Sequence, residues 1–279
     1  MKRIDVFPSV LHSLPECCHR RCICIIIFII QCKMNESIQG SEKRIRRRRS
    51  LHESMTEVFV GTSGWSYDWN RGNSLDWYVK ESRLNAIELN MSFYRFPHPN
   101  MVKSWATKGK QLAWVVKVHR SITHFQKLSK PAVESFQRFK TLFAPLKDLV
   151  HYYLFQMPPS FTDINALEHF VEKTGTEKLA VEFRHPTLFS SELIKWGKTH
   201  GILLVSIDAP QLPRTIMSQT VVYERIHGRT GWYSHNYSDH ELQGIKKHIL
   251  TNNPHTVYVF FNNNHAMLEN AMRMNQLLR

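Results

Sequence analysis

Residues 179–186, Leu-Ala-Val-Glu-Phe-Arg-His-Pro, set Glu182, Arg184 and His185 into an apolar run that Pro186 ends. Charge inside a buried strand is costly, so such groups are paired or put to use. Strand alternation sends Ala180, Glu182 and Arg184 to one face and Leu179, Val181 and Phe183 to the other. The same reading of the other apolar runs gives inward residues near their ends: Ser63, Glu88 with Asn90, Lys117 with His119, Gln156, Asp208, Arg225 with His227, and Asn262. Three chemistries lie within reach of this set. Arg184, Arg225 and Lys117 suit a phosphate or carboxylate, held by charge-assisted hydrogen bonds. Glu88 and Glu182 suit an acid and base whose surroundings separate their pKa values. Asp208, His227, His185 and Glu182 are types that ligate a divalent metal, but no His-x-x-x-His spacing accompanies them, so this is the weakest of the three.

On this reading Glu182, Glu88, His227 and Asp208 are the catalytic candidates. Arg184, Arg225, Lys117, His185, Asn90, Gln156 and Asn262 bind the ligand, with Trp65 and Tyr94 as stacking surfaces for bases or sugar rings. Phe93 and Phe96 read instead as packing residues. The competing reading is a structural ion-pair network, in which Lys117, Arg184 and Arg225 balance Glu88, Glu182 and Asp208 charge for charge; buried pairs of this kind often add little net stability. Ser63 between Gly61 and Gly64 is not a Gly-x-Ser-x-Gly elbow, so a serine hydrolase has no support.

The elements that would hold these residues follow a βα rhythm. From Val58 onward short apolar runs alternate with helical segments, predicting eight strands: 58–62, 86–89, 113–118, 152–156, 179–183, 202–207, 221–226 and 257–261. Helices are expected around 75–82, 100–107, 131–143, 163–173, 191–200, 238–250 and 265–278, while 209–218, with Pro210 and Pro213, reads as an irregular crossover. Eight such strands in one chain of this size imply a (β/α)8 TIM-type barrel, an α/β fold whose usual length is about 250 residues and whose chemistry sits at the C-terminal strand ends.

The 279 residues carry 37 Lys and Arg against 23 Asp and Glu, and 42% are apolar, ample for a large core. All five cysteines, Cys17, Cys18, Cys22, Cys24 and Cys32, precede residue 33, which leaves the rest without thiol chemistry and points to a cytoplasmic protein. The apolar run 23–30 is far shorter than the roughly 20 residues that span a bilayer, so no membrane partner is expected. Residues 1–55 read as a poorly ordered basic extension, with the run 44–49 all arginine but for Ile45, or as sequence upstream of a true start at Met34 or Met55. Residues 56–279 read as a single barrel domain.

Several motifs in order along the chain carry a resemblance: Gly61-Thr-Ser-Gly-Trp-Ser-Tyr67, Glu88-Leu-Asn-Met-Ser-Phe-Tyr-Arg95, Ile122-Thr-His124, Gln156-Met-Pro-Pro-Ser160, Val181-Glu-Phe-Arg-His-Pro186, Arg225-Ile-His-Gly228 and Phe261-Asn-Asn263. From Val58 to the C-terminus the sequence resembles the YecE-like family, domain of unknown function 72. The resemblance implies a TIM-type barrel and brings no established activity. Two positions depart from the family pattern: Glu224, where an apolar residue is usual, and the Asn-His-Ala after Asn263, where glycines are common. Residue chemistry then favours an enzyme acting on a phosphorylated or otherwise anionic ligand, a nucleic acid among the candidates. The first alternative is a non-catalytic module binding nucleic acid or a small anion, and the second a carbohydrate-active hydrolase using Glu88 and Glu182. The sequence identifies no cofactor; a divalent metal is admitted but not favoured.

Overall fold

In the computed structural model residues 56–279 are described, so the cysteines, the basic run and the alternative starts lie outside the described residues. The apolar runs become parallel strands: β1 (Glu57–Ser63), β2 (Ala86–Leu89), β3 (Ala113–Lys117), β4 (Val150–Gln156), β5 (Leu179–Glu182), β6 (Leu203–Leu204), β7 (Ser206–Asp208), β8 (Val221–Ile226) and β9 (Thr256–Phe261). Their order is β6-β5-β4-β3-β2-β1-β9-β8-β7. The expected sixth strand is thus present as two pieces parted at Val205. β6 pairs with β5 and β7 with β8, so one segment of chain closes the ring and the nine strands form an eight-membered barrel. Val205 itself stays attached, its N–H donating to the Val181 carbonyl at 2.9 Å.

The intervening helices are α1 (Leu75–Glu81), α2 (Met91–Tyr94), α3 (Pro99–Lys108), α4 (Lys130–Leu142), α5 (Ile164–Thr174), α6 (Ser191–Thr199), α7 (Asp239–Ile249) and α8 (Met267–Leu278). Their starts follow from local chemistry: Ser74, Asp163 and Ser190 accept from backbone N–H groups of the first turn, and Ser238 with Glu241 forms a capping box. No helix follows β7; residues 209–218 run irregularly, as their prolines dictate. Among the described residues no helix is long and apolar enough to cross a membrane.

Alternation divides the core in two. Outward side chains such as Ile87, Val116, Phe155, Val181 and Ile226 pack against helix residues Val102, Phe136, Phe170, Leu242 and Met274. Inward Ala86, Val115, Leu154, Ala180, Tyr223, Tyr258 and Phe260 fill the barrel. Two residues further along β2, β3, β4 and β5 come Glu88, Lys117, Gln156 and Glu182, so a polar layer lies directly above an apolar plug. Gly61 makes this packing feasible, since a Cβ there would stand 2.3 Å from the Ala86 carbonyl oxygen and 2.9 Å from the Phe260 ring.

Candidate functional site

At the centre of the polar layer lies Arg225, fully buried on β8. Its Nε donates to Glu88 Oε2 at 2.8 Å, its Nη2 to Glu88 Oε1 at 2.5 Å, and its Nη1 to Glu182 Oε2. Ser63 Oγ and Tyr223 Oη each donate to Glu88 at 2.6 Å, and Arg184 Nε donates to the second oxygen of Glu182. Burial alone would raise both carboxyls; the charge of Arg225 and the donors around Glu88, and Arg184, Arg225 and His227 around Glu182, overcome it and hold both below the usual carboxylate range. The two glutamates are therefore ionised and fully bonded. That argues against their assignment as acid and base, since neither holds a proton to give and every oxygen of the pair already accepts a hydrogen bond. The hydrolase reading loses its carboxylate pair for the same reason, since one guanidinium occupies both.

His227 is also fully buried, with Nε2 at 3.2 Å from Arg184 Nη2 and Nδ1 at 3.4 Å from Asn262 Nδ2. Burial, then the charges of Arg184 and Arg225, press its pKa down to about 3, so it is neutral and serves as a hydrogen-bonding spacer. Arg184 lies over the face of Trp232, 4.4 Å from the ring centroid.

Asp208 leaves the ring. Leu203 and Val205 face the barrel interior, so Asp208, odd by one, turns outward, where Arg229 Nε and Nη2 reach it at 2.7–3.1 Å and Tyr237 Oη at 2.9 Å. His185 is likewise apart: its Nδ1 lies 2.7 Å from Thr187 Oγ1, capping a short turn beside the barrel. The metal set Asp208, His227, His185 and Glu182 is thereby dispersed, and among the described residues no three His, Cys, Asp or Glu side chains converge as metal ligands do. Trp65 packs edge-on against Trp105 and Trp114 in the helix layer and also lines a cavity at the mouth beside Tyr67 and Tyr94.

Removing Asp208 changes the electrostatics. Two arginines and two glutamates now balance, and Lys117 remains without a carboxylate. It is 4% exposed, its Nζ donates to Asn90 Oδ1 at 3.1 Å, and it sits 4.1 Å from the Phe93 ring centroid. Burial first, then the charge of Arg225, lower its pKa from 10.5 to about 7, against the raising pull of Glu88 and Glu182. Lys117 forms the floor of a cavity of ≈ 370 Å³ whose walls include Asn90, His124, Gln156 and Asn262. His124 lies on a π-helical turn, Ser121–Phe125, with its basicity lowered by burial and by the charges of Lys117, Arg120 and Arg184.

The cavity does not end there. Gln156 and Tyr233 also line a neighbouring space of ≈ 480 Å³ that contains Arg184 and Trp232, and Tyr67, Asn90 and Tyr94 also line one of ≈ 250 Å³ on the other side. The three adjoin as a groove across the C-terminal strand ends. Tyr94, 57% exposed, lines it, and the Arg120 guanidinium stands about equally far from the Tyr94 ring and from that of Phe125, 70% exposed and next in sequence to His124, at 6.0 and 5.8 Å. Sequence reasoning missed Tyr223, Trp232 and Tyr233. Tyr223 was available one alternation step before Arg225; the other two sit in a loop after β8 where only their aromatic character signals a role.

Comparison with solved structures places this architecture among relatives. A DUF72 family protein from Thermotoga maritima is 27% identical, with a TM-score of 0.68 over 80% of this chain and 99% of that one. A DUF72 family protein from Enterococcus faecalis is 22% identical, with a TM-score of 0.69 over 81% of this chain and 98% of that one. SacUVDE shares the fold at 9% identity, with a TM-score of 0.50 over 80% and 99% of the two chains. A comparison with curated proteins gives no match. The family model described as "Protein of unknown function DUF72" matches residues 59–279, almost the whole of the described barrel, and the chain belongs to that family.

Proposed function

We propose that the barrel mouth is an enzyme site for a phosphate-bearing ligand, with Lys117 as the group that both meets the anion and moves a proton. The observation that carries this is a buried ammonium facing a cavity with a carbonyl oxygen as its hydrogen-bond acceptor and no counter-ion. Such a charge is unstable until an anion supplies the missing partner. A lysine brought to about 7 is also half neutral near physiological pH, the condition under which an amine exchanges protons with a bound substrate or attacks it. Arg184, held flat on Trp232 at one end of the groove, adds a second cationic surface, and Asn90, Gln156 and Asn262 supply orienting donors and acceptors.

A single-stranded nucleic acid is the phosphate-bearing ligand that uses the rest of the groove, because it couples a backbone charge to faces that stack on Tyr94 and Phe125. The likeness to SacUVDE adds no more than a shared fold. The locking of Glu88 and Glu182 favours a second reading, binding without turnover, since a conventional acid–base pair is absent from the mouth among the described residues.

Two variants separate the readings. With a fluorescein-labelled oligothymidylate of about a dozen nucleotides, anisotropy should give an affinity that falls steeply with salt, and Lys117→Met should lose about tenfold or more. Lys117→Arg keeps the cation but not the titration near neutrality, so it should bind while failing to convert the strand on a denaturing gel. Equal binding by wild type and Lys117→Met, with a flat salt response, would remove the mouth as the anion site. Conversion of the strand by Lys117→Arg at the wild-type rate would remove Lys117 as the proton-transfer group.

A further inference from the structure

A second cavity, also ≈ 370 Å³, lies outside the barrel between β8 and α7. Tyr223 and Arg225 point inward to Glu88, so alternation turns Glu224 outward, toward α7. Glu224 is 4% exposed, lines this cavity, and its Oε2 has no hydrogen-bond partner among the described residues. A buried carboxyl oxygen left in this way carries a desolvation penalty that a donor would relieve. The opposing wall includes Gly244, and nothing lies within 4 Å of the place its Cβ would take. A glycine inside a helix is unfavourable by about 1 kcal/mol relative to alanine, and here its bare backbone leaves the space above Glu224 open.

The other acids around the cavity are already satisfied. Asp208 accepts from Arg229 and Tyr237, and Glu241 from Ser238, with His235 and Arg229 close by. The charged and titratable groups facing Glu224 are Asp208 on β7, Arg214 on the crossover, Arg229 after β8, and His240, Glu241 and His248 on α7. Arg229 reaches both Asp208 and Glu241, and Arg214 lines the cavity without an ion pair to any acid among the described residues. Burial first and the Asp208 charge second push the Glu224 carboxyl well above the usual range, so it stays neutral until a cation bound beside it favours the ionised form. At about 30 Å³ for each water-sized unit, the space accommodates roughly a dozen heavy atoms. A bare metal ion lacks the converging donors it would need.

We propose that this outer cavity binds a small organic ammonium ion, whose N–H groups donate to Glu224, with the imidazoles of His240 and His248 as further acceptors. The site is separate from the barrel mouth and does not depend on what the mouth does.

Titration calorimetry of the full chain with butylammonium and with 1,4-diaminobutane tests it, with tetramethylammonium, which has no N–H, as the control. Saturable binding near one equivalent is expected for the first two, at least about tenfold weaker for the control. Glu224→Gln should weaken binding by about tenfold or more, and Gly244→Leu, which fills the space from an exposed helix position, should block it while leaving the urea midpoint near wild type. Absence of saturable heat at millimolar ligand overturns the proposal. So does equal affinity for tetramethylammonium, or wild-type binding by a folded Gly244→Leu protein, which remains decisive should Glu224→Gln fail to fold.

Discussion

Replacing Lys117 with methionine should make this protein more stable, and the gain should depend on pH in a defined direction. The lysine keeps its length but loses its charge. In the folded chain the ammonium pKa lies at about 7 against 10.5 for an unhindered lysine. At 1.36 kcal/mol per unit, the protonated side chain opposes folding by on the order of 5 kcal/mol before the surroundings relax. The hydrogen bond to Asn90 and the position over Phe93 return about 1–2 kcal/mol, and they vanish in the variant. A net stabilisation of about 3–4 kcal/mol is expected at about pH 6. The sign follows from proton counting: between pH 7 and 10.5 the unfolded chain holds a proton that the folded chain has lost, so wild-type stability rises with pH across that window, and the variant, lacking the group, does not share the rise. The advantage of Lys117→Met is thus full below pH 7 and fades toward pH 10. Urea unfolding followed by tryptophan fluorescence at about pH 6, 8 and 9.5 measures it. A Lys117→Met protein less stable than wild type at pH 6, or one whose difference stays constant over this range, would refute the idea of an uncompensated buried ammonium.

Arg225→Met should be far worse than its size suggests, about 3–5 kcal/mol or failure to accumulate, because it strands Glu88 and Glu182 as facing buried anions; expression yield and urea midpoint report it. Restoring the balance with Glu88→Gln in the same chain, where Glu182 keeps Arg184 as its partner, should recover much of that loss, a double-mutant comparison that a mere cavity effect would not satisfy. Gly61→Ala should destabilise the barrel by about 2 kcal/mol or more, since its methyl group meets the Ala86 carbonyl and the Phe260 ring. Phe125→Ala, at an exposed position, should leave the urea midpoint unchanged while reducing affinity for labelled oligothymidylate by about tenfold; unaltered affinity would remove stacking from the proposed ligand contact.

Most of the barrel was legible because alternation and turn residues set each strand locally. β2, β3, β5 and β8 each place a charged residue in an apolar run, and its parity fixes the face. The reading failed at Asp208 for a physical reason. Ile202, Leu203, Leu204 and Val205 form an unbroken apolar run, which carries no phase; the phase is set by pairing with β5 and by the break at Val205, both of them tertiary. The site was half legible. The sequence shows which residues reach the mouth, but not that Glu88 and Glu182 are consumed by an arginine 137 and 43 residues away. The isolation of Lys117 appears only after those pairs, and the outward turn of Asp208, have been subtracted. Glu224, an anomaly in sequence, remains one in three dimensions.

The Arg225 arrangement also constrains when the barrel can close. One guanidinium joins β2, β5 and β8, and β8 enters the chain after the other two. Until it arrives, Glu88 and Glu182 cannot be brought together inside an apolar tube without mutual repulsion and loss of hydration. A chain ending before residue 225 would leave Glu88 without its guanidinium and Glu182 with Arg184 alone, so closing the barrel around them would carry an added cost. In this respect the buried charges make barrel closure depend on a residue that only the last fifth or so of the polypeptide brings in.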